Sequence, residues 1–204
     1  MKRALVLAGL MAMTVCVRAA ETRPAPDYSS PEKTWATVCA ALKDEDLSAF
    51  RACFNNTNEM SRLFMASYSE LTVTTFRLAN VIDLIPEGKS LSPRLQAVYT
   101  DLVNSGKDRK TEYVGLGDRE AKWSRVVKTE KGPHEEVTYF KKVDGKWLID
   151  TESSYALDTP DGRKAAEAFI ESSKKQIPLL QKVIADIQAN KIRSLEELRR
   201  RLTE

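Results

Sequence analysis

The segment "FKKVDGKWLID", residues 140–150, constrains this chain more than any other stretch. Asp144-Gly145 sits between two runs of alternating character, and such a dipeptide favours the two positive-φ positions of a tight hairpin turn. A two-residue loop fixes the pairing: Lys142 faces Trp147, Phe140 faces Ile149 and Thr138 faces Thr151. Side chains alternate across a strand, so Phe140, Trp147 and Ile149 share one face while Tyr139 and Asp150 share the other. The apolar set predicts which face rests on a core.

Strand signals extend on both sides of this hairpin. Four strands are expected at about 110–116, 120–130, 135–143 and 146–153. Gly115, Gly117 and Asp118 separate the first two, and "EKGPHE" reads as a longer hairpin loop. The segments around this region have helical spacing instead. Ser30-Pro31 gives a capping hydroxyl followed by proline at the first helical position. Trp35, Val38, Cys39 and Leu42 then recur at helical intervals. A short second helix carries Leu47, Phe50, Cys53 and Phe54, and Asn58 opens a third. Within that third segment "ELTVTTF" favours strand by propensity. The longer run Phe64, Tyr68, Leu71, Thr75, Leu78, Ile82 and Ile85 steps alternately by four and three, which predicts one long helix ending before Pro86. Leu91, Leu95, Val98 and Leu102 predict a fourth helix stopped at Ser105-Gly106. Beyond the strands, Thr159-Pro160 caps a helix over 160–175, Pro178 is expected to break or kink the chain near Ile177, and Ile177, Leu180, Ile184 and Ile187 form an apolar stripe. Ser194 with Glu197 matches a capping box for a last helix. The fold class expected is α+β: N-terminal helices packed on a curved four-stranded antiparallel meander, with extra C-terminal helices.

The first residues suggest an address. Lys2 and Arg3 precede an apolar run from Ala4 to Val17, and Val17-Arg18-Ala19 supplies small residues around a cleavage point before Ala20. This pattern predicts a secretory signal peptide over 1–19, hence a periplasmic or extracellular protein. A membrane span needs about 20 apolar residues, so no transmembrane span is expected once the leader is gone. The sequence before Cys16 is a poor lipoprotein box. Loss of Lys2, Arg3 and Arg18 leaves 29 basic residues against 29 acidic ones, so the charge gives no support for nucleic acid as partner. "ETRPAPDYSSP" reads as a linker over 20–30, followed by an α+β domain over 31–158 and a helical extension over 159–204. Two cysteines, Cys39 and Cys53, remain in the mature chain. An oxidising compartment allows a disulfide between them, closing a loop of roughly 15 residues. The alternative is two small buried thiols.

"SSPEKTWATVCAALKDEDLSAFRACF" at 29–54 and "VTYFKKVDGKWLID" at 137–150 together resemble the nuclear transport factor 2-like (cystatin-like, SnoaL-like) superfamily, over about 130 residues with gaps. The long insert at 58–104 and the helices after 158 depart from that pattern. The resemblance implies a curved sheet wrapped on a helix, often with a pocket at its open end. It does not choose among isomerases, dehydratases, ligand binders and interaction modules.

Candidate chemistry is sparse. His134, the single histidine, lies in the polar "KGPHEE" and is expected in a solvated loop. One histidine and two cysteines argue against a four-ligand zinc site, and no metal or cofactor is expected. "GLGD" lacks phosphate-cradling spacing. Some members of the resembled superfamily use a buried acid beside a tyrosine, and Asp150 with Tyr139 is the nearest such pair here. The competing expectation for Asp150 is a solvent-facing strand residue. Asp83 is expected on the polar side of its helix. The basic cluster Arg199 to Arg201 is expected to pair with Glu196 and Glu197. The stripe at 177–187 could seed a homodimer or pack on its own domain. The function favoured by these features is a non-enzymatic exported module. Its partner would be a small apolar ligand held between sheet and helices, or another envelope protein. One alternative is a small isomerase, dehydratase or hydrolase with a carboxylate base. Another is a periplasmic lipid carrier, since "GKWLIDTESSYAL" is similar to the last strand of the toluene-tolerance carriers.

Overall fold

The computed structural model describes residues 25–90, 100, 104, 106, 109–114, 118–129 and 132–203. The leader at 1–19 and the helical positions Leu91, Leu95, Val98 and Leu102 lie outside these residues.

Helix α1 spans Pro31–Lys43, with Ser30 Oγ accepting from the Lys33 N–H. Helix α2 spans Leu47–Ala52 and is capped by Asp46. A two-residue strand β1, Phe54–Asn55, follows directly. Helix α3 runs from Glu59–Val81; its start is fixed by a reciprocal bond pair between Asn58 and Ser61. Two 3-10 turns, Ile82–Leu84 and Pro86–Ser90, close that segment. The strands are β2 (Lys110–Val114), β3 (Glu120–Thr129), β4 (Gly132–Val143) and β5 (Lys146–Asp150). A single-turn helix α4, Thr151–Ser154, leads to the long α5 (Pro160–Gln188) and the terminal α6 (Leu195–Thr203).

The strands form one sheet in the order β1-β5-β4-β3-β2. Pairs β2–β3, β3–β4 and β4–β5 are antiparallel, whereas β1 joins β5 in parallel. The α+β class holds, but the sheet is mixed and five-stranded rather than a pure four-stranded meander. The added strand escaped prediction because two residues are too short to show a period, and "NNTN" resembles a helix cap. The central hairpin has the expected register, Phe140 with Ile149 and Lys142 with Trp147. Asp144 and Gly145 both adopt positive φ, 49° and 79°. Thr138 does not meet Thr151, because β5 ends at Asp150 and Thr151 opens α4; Thr138 pairs with Trp123 instead. The loop after β3 is also tighter than expected, since β4 already begins at Gly132.

The main core lies between the sheet and α1 to α3. Trp123, Phe140, Trp147 and Ile149 project from the sheet onto Val38, Leu42, Phe50 and Phe64. Burial of each such side chain contributes about 1.5–3 kcal/mol. Thr34, fully buried on α1, donates to the Trp147 carbonyl at 2.6 Å and locks helix to strand. Residues 27 and 28, at the end of the expected linker, are docked as well. The Trp147 N–H donates to the Tyr28 carbonyl at 2.8 Å, and the Asp27 N–H to Thr37 Oγ1 at 3.2 Å.

Helix α3 follows the expected period but not the whole expected face. Phe64, Met65, Ser69, Val73 and Thr74 are buried, while Thr75 is exposed. A strict seven-residue repeat drifts by about 20° per heptad around a straight helix, so over 23 residues the buried stripe walks off the predicted line. Helix α5 packs along α3 and passes through Pro178 without interruption. The break expected there is avoided because Pro178 and Lys174 both lie on the solvent side. The carbonyl that loses its partner can tilt to water. Ile177, Ile184 and Ile187 are buried against the chain itself, so the stripe considered for a homodimer is already covered. Ile82, Ile85, Val183, Ile187, Ile192 and Leu198 form a second, wholly aliphatic core. Among the described residues no helix is long and apolar enough to cross a membrane.

Candidate functional site

Asp150 occupies the junction of β5 and α4. By alternation it belongs to the outer face of the sheet, yet it is 1 % exposed. The expectation of a solvent-facing aspartate is therefore corrected. The residues that follow it are tied down by residues distant in sequence. Thr151 Oγ1 donates to Asn56 Oδ1 at 2.8 Å. Thr57 and the Asn58 amide both donate to Glu152. These contacts tie the loop after β1 to α4.

Asp150 Oδ2 lies 3.1 Å from Lys141 Nζ and accepts from Ser153 Oγ at 2.5 Å. Oδ1 is buried with no hydrogen-bond partner among the described residues. Burial alone would lower the Lys141 pKa, but the hydrogen bond and charge of Asp150 outweigh it and raise the lysine above its ordinary value. Tyr139 is not part of this cluster. Its side chain is 38 % exposed, and only its main chain reaches α4, where its N–H donates to Ser154 Oγ at 2.9 Å. The expected acid–tyrosine pair is thus not assembled. Lys141 and Ser153 are the partners that sequence inspection missed. Ser153 was visible as a hydroxyl three residues after Asp150, a spacing that allows a local side-chain bond. Hydroxyl, carboxylate and ammonium join α4, β5 and β4, which makes the cluster a strut. A general base needs an oxygen within hydrogen-bond reach of a substrate proton; here Oδ2 already faces two donors and Oδ1, without a donor among the described residues, is buried.

A second polar cluster lies at the margin of the main core. Arg109, just before β2, has a side chain only 6 % exposed. Its guanidinium lies 4.9 Å from the Trp123 ring centre and 5.5 Å from that of Trp35. Nη1 donates to the Trp123 carbonyl at 3.2 Å and to Thr138 Oγ1 at 3.1 Å. Nη2 reaches Glu136 at 3.4 Å, while Arg125 Nε holds the same carboxylate oxygen at 2.7 Å. Burial and then the charge of Arg125 pull the Arg109 pKa below its ordinary range, with Glu136 opposing. The Arg125 hydrogen bond holds Glu136 below the usual carboxylate range, against some burial. None of these residues was singled out for chemistry from the sequence. The only available signal was an arginine next to the first strand, which does not reveal that two indoles enclose it.

The remaining candidates are structurally plain. Cys39 and Cys53 are both buried and are not bridged. Cys53 Sγ donates to the Ala49 carbonyl within its own turn and joins the main core, from which Cys39 is absent. Burial pushes the Cys39 thiol up to about 11, so it stays protonated and unreactive near neutrality. His134 is exposed on β4, opposite Val127, rather than in a loop. Asp83 is exposed in a 3-10 turn. Glu197 accepts from the Arg193 N–H at 2.7 Å and its own N–H meets Ser194 Oγ at 3.2 Å, so the capping motif starts α6. Among the described residues no group of three or more His, Cys, Asp or Glu could hold a metal ion. In comparisons with protein-family models, curated proteins and solved structures, the chain matches none.

Proposed function

We propose that this chain is an exported, non-enzymatic binding module of the nuclear transport factor 2-like kind, holding a small ligand of largely apolar body between its sheet and α1. The observation that carries this is the engagement of Asp150. Its Oδ2 is held by Lys141 and Ser153, apart from Tyr139. The carboxylate-base alternative is left without its residue pair. An aromatic wall favours binding. Trp35 meets Trp123 edge-on at 5.4 Å, and Tyr113 lies 5.6 Å from Trp147. Tyr113 is 53 % exposed at the β2 edge, so the wall continues toward solvent there. Amphipathic rings of this sort suit a pocket with few polar groups.

Native mass spectrometry of full-length protein purified from its own envelope tests the proposal. The expected result is a retained small molecule, lost on denaturation and still retained by Asp150→Asn. A bare polypeptide mass under gentle conditions overturns it. Loss of a measurable turnover on Asp150→Asn would restore the enzyme alternative.

A further inference from the structure

We infer that Arg109 and Trp123 hold the carboxylate of a small organic acid, with one oxygen received between Arg109 Nε and Trp123 Nε1. The inference deepens the binding-module proposal and rests on it.

Both donors are buried and have no hydrogen-bond partner among the described residues. The two side chains that carry them are in contact, with the guanidinium over the indole at 4.9 Å from its centre. Leaving a buried N–H unpaired costs about 1–3 kcal/mol, and two in one place call for a shared acceptor. The requirement is chemically one-sided, since both atoms donate and neither accepts. Arg109 is also held rigidly: Nη1 is fixed by the Trp123 carbonyl and Thr138, Nη2 by Glu136. Only the Nε edge is left for a ligand, so the seat is preorganised.

Charge narrows the acceptor to an anion. Among the described residues Arg109 and Arg125 share a single carboxylate, Glu136, which leaves one excess positive charge beside the buried Arg109. A buried charge is costly unless it is paired. Burial first, and then the charge of Arg125, pulls the Arg109 pKa down, with Glu136 opposing. A monoanionic carboxylate balances the count. A phosphate monoester, at about −1.5 to −2 near neutrality, would exceed it. A water could accept from both donors but would leave the charge unbalanced. The half-buried Trp35 and the exposed Tyr113 then supply ring faces for the apolar body of the acid.

The chain has three tryptophans, so their indole N–H signals report on the site directly. Uniformly 15N-labelled full-length protein is titrated with benzoate and hexanoate, with benzamide as the neutral isostere and inorganic phosphate as the competing anion. The expected outcome is movement of the Trp123 indole N–H with benzoate or hexanoate and not with benzamide or phosphate. Arg109→Gln should weaken the binding of that acid about tenfold or more, as removal of a charged hydrogen-bond donor does. If Arg109→Gln fails to fold, Arg125→Gln, which removes the excess charge from the rim, should weaken it several-fold. Equal movement with benzamide, equal movement with phosphate, or no movement of Trp123 with either acid overturns the inference. If native spectra retain a molecule while both acids leave Trp123 unmoved, this inference falls and the binding-module proposal stands. If the acids titrate Trp123 but no molecule is retained, the proposal loses its natural ligand while the carboxylate seat stands.

Discussion

The two cores of this protein differ in kind. The main core, between the sheet and α1 to α3, mixes aromatic with aliphatic side chains and adjoins a buried arginine, and two buried N–H donors there have no partner among the described residues. The second core, where α5 and α6 meet the end of α3, is made among the described residues of isoleucine, valine and leucine. Aliphatic side chains carry no polar atom, so the second core can be closed by packing without any bonding demand. The first cannot, because every indole and guanidinium N–H it buries requires an acceptor. The contrast puts the unmet hydrogen-bonding demand on the sheet side, while the long C-terminal helix packs along α3.

The comparison can be broken most severely at Phe140. Phe140→Ala should cost about 3–5 kcal/mol by loss of transfer energy and cavity formation, read from the shift of the urea midpoint. Because Phe140 meets Trp123 edge-on at 5.9 Å, the same change should disturb the Trp123 indole signal. Ile187→Ala should cost about 2–4 kcal/mol. Hydrogen exchange should then show lost protection around 183–192 with β4 and β5 still protected. A uniform loss across both regions would mean that the cores are one cooperative unit.

Smaller changes sharpen the same contrast. Thr34→Val keeps the shape but removes the donor to the Trp147 carbonyl, and should cost about 1–2 kcal/mol in denaturant titration. The smallest expected effect is in pH. Glu136 has a folded pKa below its unfolded value of about 4.3. Its stabilising contribution is therefore full above that value and is lost as pH falls through the lower folded value. With its side chain 38 % exposed, solvent screening keeps the contribution under about 1 kcal/mol. Glu136→Gln should flatten this part of the acid limb of a stability–pH curve, whereas Ile187→Ala should shift the curve without changing its shape. A shape change in the second variant would show that the aliphatic core is coupled to the charged cluster.

Much of the fold was legible along the chain. The Asp144-Gly145 turn gave the hairpin register, and Ser30, Asn58, Thr159 and Ser194 each marked a helix start. Those signals are local, since caps and turns bind within three or four residues. The period of α3 was legible too, but its face was not, because small angular errors accumulate along a long helix. The candidate site was hardly legible. Asp150 and Tyr139 were found as a pair by alternation, yet alternation says nothing of what covers a sheet face. The disulfide between Cys39 and Cys53 was open on loop length alone, and in the fold both thiols are buried and not bridged.

By itself the sequence determined most of the described helices and strands, the central hairpin and the apolar side of the sheet, because each depends on residues close along the chain. Tertiary structure alone decided that Phe54–Asn55 pairs in parallel with β5, that the buried Asp150 meets Lys141, and that Arg109 lies against both Trp35 and Trp123. The physical reason is distance in sequence. The bond from Thr34 to Trp147 spans 113 residues, and what surrounds a buried polar group is set by such encounters.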